Sequence, residues 1–276
     1  MKTILFLISA ILSIFTVLLI SSCKKDSATT SDTSETIAQD LASAESAFDD
    51  DAMFADDNFF SAAMLKSVEV TKHPFAPCAK FSVDTTGGIR KRTIDFGTTN
   101  CLCNDGKTRR GKIIVTFSAP RLKPGATITT TFDNYFVNDN QVTGTTSMVN
   151  NGFNAAGNLS WTNTIDKTVT FKTGEVAHWA GTRTREWIEG KNTPLDWTDD
   201  VYSITGSSTV TRPNGDTRTA TIVTPLRKEM NCHHFVSGTV KIVRTDKADI
   251  LLDYGTGDCD DVATITVNGV TKTIKI

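Results

Sequence analysis

Thr, Val and Ile dominate the chain after residue 75, and apolar and polar residues alternate along parts of it, as in Thr182-Arg-Thr-Arg-Glu-Trp187. Such alternation is typical of strands that bury one face. No stretch after residue 70 shows the spacing of a long helix, so parallel βαβ units are not expected. The sequence therefore predicts a mainly β fold, either an antiparallel β-sandwich or an extended β meander. The expected strands are 91–96, 112–118, 126–137, 140–149, 158–164, 167–173, 176–188, 201–211, 217–224, 234–243, 248–254, 262–267 and 270–276.

Turn dipeptides separate these strands. They are Gly87-Gly88, Asp105-Gly106, Pro124-Gly125, Asn151-Gly152, Asn214-Gly215 and Asn268-Gly269. Gly and Asn favour such positions because they tolerate a left-handed backbone conformation. Asn268-Gly269 stands between two alternating segments and predicts a two-residue hairpin, since both turn positions need positive φ.

The chain before the β region has a helical period and predicts a short, acidic and amphipathic helical region at residues 35–70. Ser34 suits the N-cap position, with Glu35 in the first turn. A calcium site at Asp49-Asp50-Asp51 would need a glycine and a distant Glu that the sequence lacks there. A solvated helix face is therefore the preferred interpretation of these acids. The apolar stripe consists of Ile37, Leu41, Ala44, Phe48, Ala52, Ala55 and Phe59.

Residues 1–22 have the pattern of a secretory signal, because Lys2 precedes an apolar run from Ile4 to Ile20 that ends in small residues,. An uncleaved membrane helix is the alternative, although 17 residues is short for a span,. Ile20-Ser21-Ser22-Cys23 resembles the lipobox of bacterial lipoproteins. This resemblance implies cleavage before Cys23, acylation of that cysteine, and a place in the cell envelope as an outer membrane lipoprotein on the periplasmic face or the cell surface. Polar residues 23–34 would then form a flexible tether.

Charge is segregated along the chain. Residues 26–60 hold ten acids and no Lys or Arg, whereas residues 61–276 hold 21 acids and 26 bases. This mild positive excess comes without a basic helix or an aromatic–basic ladder, so a nucleic-acid partner is not expected.

Four of the five cysteines after Cys23 occupy equivalent places in two related segments. Cys78 opens a Cys-x-x-Phe motif followed by Asp-Phe-Gly-Thr-Thr-Asn-Cys101, and Cys232 opens the same motif followed by Asp-Tyr-Gly-Thr-Gly-Asp-Cys259. We therefore place a β domain at 75–276, with related Cys-containing modules at 78–117 and 232–274. An exported compartment permits disulfides, and the repeat predicts the pairs Cys78–Cys101 and Cys232–Cys259.

Cys103 has no counterpart in the second module. It either replaces Cys101 as the partner of Cys78 or remains a thiol. A zinc site built from Cys101-x-Cys103 with Cys232, His233 or His234 is the alternative. Structural zinc usually has two-residue spacers in both ligand pairs, and adjacent strand residues face opposite sides. No metal or cofactor is therefore assigned.

Aromatic and acidic residues concentrate between 179 and 200. Indole faces stack on sugar rings, and paired carboxylates can serve as acid and base in glycoside hydrolysis. A hydrolytic cleft would draw on Glu186, Glu189, Asp196, Asp199 and Asp200. The preferred interpretation is a long hairpin whose aromatics cover one face and whose acids pair with Arg183, Arg185 and Lys191, and the alternation in 182–187 fits an exposed strand. No catalytic residue is assigned, because hydrolysis needs a carboxylate separation that the sequence does not give. The ligand-binding candidates are Trp179, Glu186, Trp187, Asp196 and Trp197.

Residues 105–111, Asp-Gly-Lys-Thr-Arg-Arg-Gly, share residue types with phosphate-binding loops. They have neither the four-residue spacer between glycines nor a following helix, and we interpret them as a basic hairpin turn. The sequence contains no nucleophile elbow, zinc-protease helix or Cys–His nucleophile pattern.

Three segments resemble uncharacterised lipoproteins of the Bacteroidota: DFGTTNCLCNDGKTRRGKIIV at 95–115, TFDNYFVNDNQVTG at 131–144 and DCDDVATITVNG at 258–269. The resemblance runs from about residue 75 to the end and implies no activity. We expect a lipid-anchored cell-envelope β protein with a binding or structural role, held to the membrane by its N-terminal lipid, with a glycan or an envelope protein as partner. The alternatives are an exported glycan-active hydrolase that uses acids in 186–200 and an accessory subunit of an envelope complex.

Overall fold

The computed structural model of the protein describes residues 34–39, 41–42, 76–88, 90–193 and 196–276. Within these residues the protein is mainly β, with fourteen strands in one antiparallel sheet. The predicted fold class is confirmed, and the meander is the architecture observed. The strands are β1 (Lys80–Asp84), β2 (Arg90–Asp95), β3 (Cys101–Leu102), β4 (Thr108–Phe117), β5 (Thr127–Val137), β6 (Asn140–Phe153), β7 (Leu159–Thr170), β8 (Val176–Glu189), β9 (Val201–Thr211), β10 (Thr217–Glu229), β11 (Ser237–Arg244), β12 (Lys247–Thr256), β13 (Val262–Val267) and β14 (Val270–Lys275).

Strands that neighbour each other in the sheet follow each other in the chain, except that β2 pairs with β4 while β3 pairs with the start of β4. The central strands are long, and β7 and β8 pair from Ser160 opposite Glu186 to Thr170 opposite Val176. Antiparallel neighbours of this kind need only short connections. The chain therefore builds its sheet hairpin by hairpin.

Most strands lie where the alternation predicts them, and β9 and β13 have both ends as expected. The prediction of two strands at 158–164 and 167–173 is wrong, because β7 runs without a break to Thr170. Polar Asn163 and Lys167 suggest a break there, but both continue the alternation on the buried face. Strands β1 and β3 are absent from the prediction.

The predicted hairpin at Asn268-Gly269 is confirmed, with φ of 50° and 78° and Val267 paired to Val270. The turn expected at Asn151-Gly152 is wrong. These residues form a β-bulge inside β6, where Gly152 has a φ of 80° and its N–H donates to the Asn150 side chain. A positive φ in a strand marks a bulge as readily as a turn.

One face of the sheet, here called the inner face, is buried across the width of the sheet. In β8 it carries the buried side chains Trp179, Arg183, Arg185 and Trp187 at alternate positions. One hydrophobic cluster on this face extends from Ala76 to β9 and also includes Met230, and a second extends from β9 to β14. Apolar and polar residues therefore alternate in the sequence because only one face of the sheet is buried.

Residues 34–39 and 41–42 are helical and pack on the second cluster through the predicted stripe, with Ile37 and Leu41 buried. Gln39 donates to the carbonyl of Lys275 at 3.0 Å. The signal at 1–22, Cys23 with the tether, and the helical region beyond residue 42 lie outside the described residues. Among the helices that the structure describes, none is long and apolar enough to cross a bilayer.

Two glycines let central strands approach each other closely. Gly206 has a φ of +121°, and a Cβ there would lie 2.2 Å from the carbonyl oxygen of Thr182. A Cβ on Gly144, at φ +100°, would lie 2.3 Å from the carbonyl oxygen of Asp166. Only glycine fits where one backbone presses on another at positive φ.

The early and late parts of the sheet meet near the two disulfide modules. Met230, directly after β10, belongs to the same hydrophobic cluster as Cys101 and Cys103. The chain just before the second module therefore packs against the first module.

Candidate functional site

The three tryptophans among the ligand-binding candidates pack against the core, two of them buried and one partly buried. Trp187 is buried on the inner face, stacks on Tyr202 with ring centroids 6.2 Å apart, and donates from Nε1 to Asp200 at 3.0 Å. Trp179, also buried, lines a small apolar pocket with Ile37 of the helix. Trp197 is partly buried against the cluster that holds Trp187. Buried indoles with these contacts stabilise the fold rather than offer a platform to a sugar ring.

The two acidic candidates lie apart from the buried tryptophans. Glu186 occupies the opposite sheet face from Trp187 and accepts hydrogen bonds from the side-chain amides of Asn154 and Asn158, both at 2.7 Å. Asp196 is exposed and caps the 3-10 turn Trp197–Asp199 by accepting from the Thr198 N–H at 3.0 Å. Hydrogen bonds from Thr198 also hold the pKa of Asp196 below its ordinary 3.8. The candidates therefore do not converge on one cleft.

The remaining acids of 186–200 have structural contacts. Glu189 pairs with Arg227 at 2.8 Å, and Asp199 accepts a hydrogen bond from Thr193. Asp200 is buried and accepts from Trp187. These contacts tie the loop after β8 to its neighbours. They are not the contacts expected with Arg183, Arg185 and Lys191, since the cation paired with Glu189 is Arg227 and Lys191 donates to the Asn158 side chain.

The predicted exposure of β8 around Arg183 and Arg185 is wrong, because both arginines are buried on the inner face. Arg185 stacks on Tyr202 with its guanidinium carbon 3.6 Å from the ring centroid, and Arg183 donates to Ser208 at 3.0 Å. A planar, weakly hydrated guanidinium tolerates burial against an aromatic face better than an ammonium does. Alternation with Trp187 in the sequence was the signal that these arginines share its face.

The same arrangement recurs along the inner face. Arg121 lies over Trp161 at 4.2 Å, Lys167 over Phe132 at 5.2 Å and Arg92 over Phe117 at 5.2 Å. All three cations are buried. The interior of the sheet is therefore basic and aromatic as well as apolar, a property that composition alone did not predict.

The outer face, opposite the inner one, carries hydroxyl side chains in register. Directly paired residues on seven adjacent strands, β4 to β10, form one continuous line of hydroxyls that we call the hydroxyl row. Adjacent strands lie about 4.8 Å apart, so the row is about 29 Å long. It consists of Thr116, Thr129, Ser147, Thr164, Thr182, Ser207 and Thr221.

Further threonines flank the hydroxyl row on both sides, and together they make the outer hydroxyl face. Lys91 and Lys241 stand opposite the two end members of the row, and each is paired with an acid, Asp84 and Asp249 respectively. The row between them is neutral. The flanking threonines are Thr127, Thr131, Thr145, Thr162, Thr184, Thr205, Thr209 and Thr219.

The predicted disulfide pairs are confirmed. Cys78 is bonded to Cys101, with Cα atoms 6.0 Å apart, and Cys232 to Cys259, with Cα atoms 5.7 Å apart. Cys103 is buried and lies outside both bridges. The equivalent places in the two modules therefore do form equivalent bonds.

A zinc site at Cys101, Cys103 and Cys232 would need three free thiolates, but two of these cysteines are in disulfides. Cys101 and Cys232 are bonded to other cysteines, and the grouped sulfurs in the described part of the chain are those of Cys78, Cys101 and Cys103. Burial lowers the pKa of His234 below its ordinary 6.5, and the charges of Lys228 and His233 lower it further. A neutral imidazole can bind metal, but His234 is not among the grouped ligands.

Comparisons with family models, curated proteins and solved structures find no match to this chain. Its function is therefore inferred from the geometry of the molecule. The outer hydroxyl face is a regular surface on which Thr164, Thr182 and Ser207 of the row are exposed. The repeated threonines of β5, at 127, 129 and 131, were its sequence signal, but only the strand register shows that they join into rows.

Proposed function

We propose that the protein is a lipid-anchored component of the cell envelope with a non-catalytic binding role, and that it holds neutral glycans against the outer hydroxyl face. The observation that carries this proposal is the hydroxyl row, which is continuous over seven strands. Threonine is favoured in exposed strands for its β propensity. The number of threonines is therefore no evidence of binding. What supports binding is that the hydroxyls of the row are in register and that the row carries no charge.

The chemistry of the row suits a polyhydroxylated ligand. Each hydroxyl donates one hydrogen bond and accepts others, so a Thr or Ser can match a sugar hydroxyl in either role. The row runs across the strands for about 29 Å, which suits an extended chain better than a single sugar. Backbone pairing on both sides fixes the positions of these side chains before a ligand arrives, and preorganisation of this kind raises affinity.

The contacts of the acids in 186–200 support binding over hydrolysis. Hydrolysis needs two carboxyl groups that flank one glycosidic bond. Glu186 lies on the outer face bound to two asparagines, whereas Asp200 is buried beside Trp187. These two carboxylates cannot both reach one bond.

Anchoring is proposed at Cys23, and it is tested separately from binding. More than one acyl chain makes membrane attachment stable, since each buried methylene contributes about 0.8 kcal/mol. The full-length protein should partition into the detergent phase and the membrane pellet, and Cys23→Ser should move it to the soluble fraction. Retention of Cys23→Ser in the pellet would show that something other than an acyl chain holds it.

Binding is tested with the soluble part of the chain after residue 23, on insoluble neutral polysaccharides and on envelope glycan fractions. Thr164→Arg with Thr182→Arg places two bulky charges at the centre of the row, and we expect affinity to fall at least about tenfold. The matched control is Thr273→Arg, an exposed threonine on the edge strand β14. No glycan binding by the wild type, equal binding by the double variant, or release of reducing sugars would overturn the proposal.

A further inference from the structure

Three sulfur atoms are grouped at the first module. The Sγ atoms of Cys78, Cys101 and Cys103 all lie within 4.8 Å of one another, although only Cys78 and Cys101 are bonded. Cys78 is exposed, whereas Cys101 and Cys103 are 7% and 3% exposed. An exposed cysteine thus stands beside two buried ones.

The backbone around β3 presents both buried sulfurs to Cys78. Cys101 and Cys103 are two residues apart, so their side chains point to the same side of an extended chain. Leu102 between them is 65% exposed and points away. The Cys78 sulfur lies 3.6 Å from the Leu102 carbonyl oxygen, midway along this tripeptide, and the Cys103 sulfur lies 3.7 Å from the Cys101 carbonyl oxygen. Cys78 is therefore placed between two alternative partners.

We infer that this cluster is a thiol–disulfide exchange site, in which Cys78 is bonded alternately to Cys101 and Cys103. The Cys103 thiol loses its proton and its thiolate attacks the Cys78 sulfur. The Cys78–Cys101 bond breaks as the Cys78–Cys103 bond forms, and Cys101 leaves as a thiolate that takes up a proton. One disulfide and one thiol are present before and after, so the step consumes no oxidant or reductant.

The exposure of Cys78 defines what the site accepts from outside, namely the thiolate of a small thiol or of a cysteine in another exported protein. Such a thiolate attacks Cys78 and forms a mixed disulfide with it, and Cys101 is the leaving thiolate. Cys103 then attacks the Cys78 sulfur and releases the external thiol. Exchange proceeds through a mixed disulfide in this way and depends on the thiolate fraction of the attacker.

The second module provides a control within the same chain. Its bridge, Cys232–Cys259, is of the same kind, but Asp261 stands two residues after Cys259, where the first module has Cys103. A carboxylate cannot take part in disulfide exchange. Only the first module can therefore rearrange.

The experiment uses the full-length protein purified in detergent, quenched in acid, alkylated and mapped without reduction. In Cys101→Ser we expect Cys78 bonded to Cys103, and in Cys259→Ser we expect Cys232 alkylated as a thiol. Alkylation of both Cys78 and Cys103 in a folded Cys101→Ser variant would overturn the inference.

The wild type gives a measurement that does not depend on folding of a variant. It is incubated with reduced glutathione near pH 8.5, about the ordinary pKa of a free thiol. A peptide that joins Cys78 to Cys103 should appear and should increase with pH, while the Cys232–Cys259 peptide stays unchanged. Absence of the Cys78–Cys103 peptide, or stoichiometric zinc bound to the protein as purified, would overturn the inference.

Discussion

Trp187 donates its indole N–H to the buried carboxylate of Asp200 at 3.0 Å, and this bond fastens the loop after β8 to the inner face. Asp200 is 2% exposed, so water cannot replace it as an acceptor. The two residues had been candidates for a sugar site, one as a stacking platform and the other as a catalytic acid. Their contact shows that both serve the core.

Removal of this acceptor should destabilise the protein. Asp200→Ala leaves a buried indole N–H without its acceptor, and we expect the free energy of unfolding to fall by about 1–3 kcal/mol. Asp200→Asn keeps an acceptor oxygen and should lose less. Urea unfolding followed by tryptophan fluorescence measures both, with exposed Asp258→Asn as the control. Wild-type stability in Asp200→Ala would contradict this role.

Because β8 and β9 approach closely at Gly206, we expect alanine to destabilise the protein more at Gly206 than at Gly215. Gly206→Ala meets the Thr182 carbonyl and adopts a strained φ, so a loss of about 1–3 kcal/mol or more is expected. Gly215, in the β9–β10 turn, also has positive φ, but no atom lies within 4 Å of the place that a Cβ would occupy there. Gly215→Ala should therefore cost less. Equal losses measured by thermal unfolding would show that strand approach at Gly206 is unimportant.

The Cys232–Cys259 disulfide should stabilise the fold mainly by restricting the conformations of the unfolded chain. Cys232→Ala with Cys259→Ala opens a loop of 27 residues, and the chain-entropy relation gives a loss of about 3.5 kcal/mol. The urea m-value should rise, because an unfolded chain without the bridge exposes more surface. Cys103→Ala, which opens no loop, is the control and should leave the m-value unchanged. An unchanged m-value in the double variant would contradict the entropic account.

Stability should depend on pH through His234. Its folded pKa lies below the ordinary 6.5, first because of burial and then because of Lys228 and other neighbouring charges. The folded state binds fewer protons than the unfolded chain, so this contribution is complete above pH 6.5 and is lost as the pH falls toward the folded pKa. His234→Gln should flatten this part of a plot of Tm against pH. If Tm depended on pH in His234→Gln as it does in the wild type, other titratable groups would be responsible for this dependence.

The sequence was a good guide to the sheet because a buried face imposes a period of two on every strand. The Asn268-Gly269 hairpin was equally clear, since few residues accept two positive φ angles in succession. The Asn151-Gly152 dipeptide gave the same local signal, but its neighbours continue the strand on both sides and make it a bulge. Local conformational preference does not distinguish these two outcomes.

The site was less predictable because it depends on pairing between strands. Arg183 and Arg185 are charged, and charge suggested exposure, yet stacking on Tyr202 and contact with Ser208 accommodate them on the inner face. The hydroxyl row exists only once each strand has its register, and a slip of one residue would turn its members inward. Disulfide pairing was predictable for a different reason, since the module occurs twice in the chain.

The location of glycan binding tests the account most directly, and threonine methyl NMR can report it residue by residue. A polysaccharide that binds the soluble chain should shift the methyl signals of Thr129, Thr164 and Thr182 on the outer hydroxyl face. Thr130 and Thr146, buried on the inner face of the same strands as row members, should keep their signals. Shifts at Thr130 and Thr146 with none in the row would contradict the central claim.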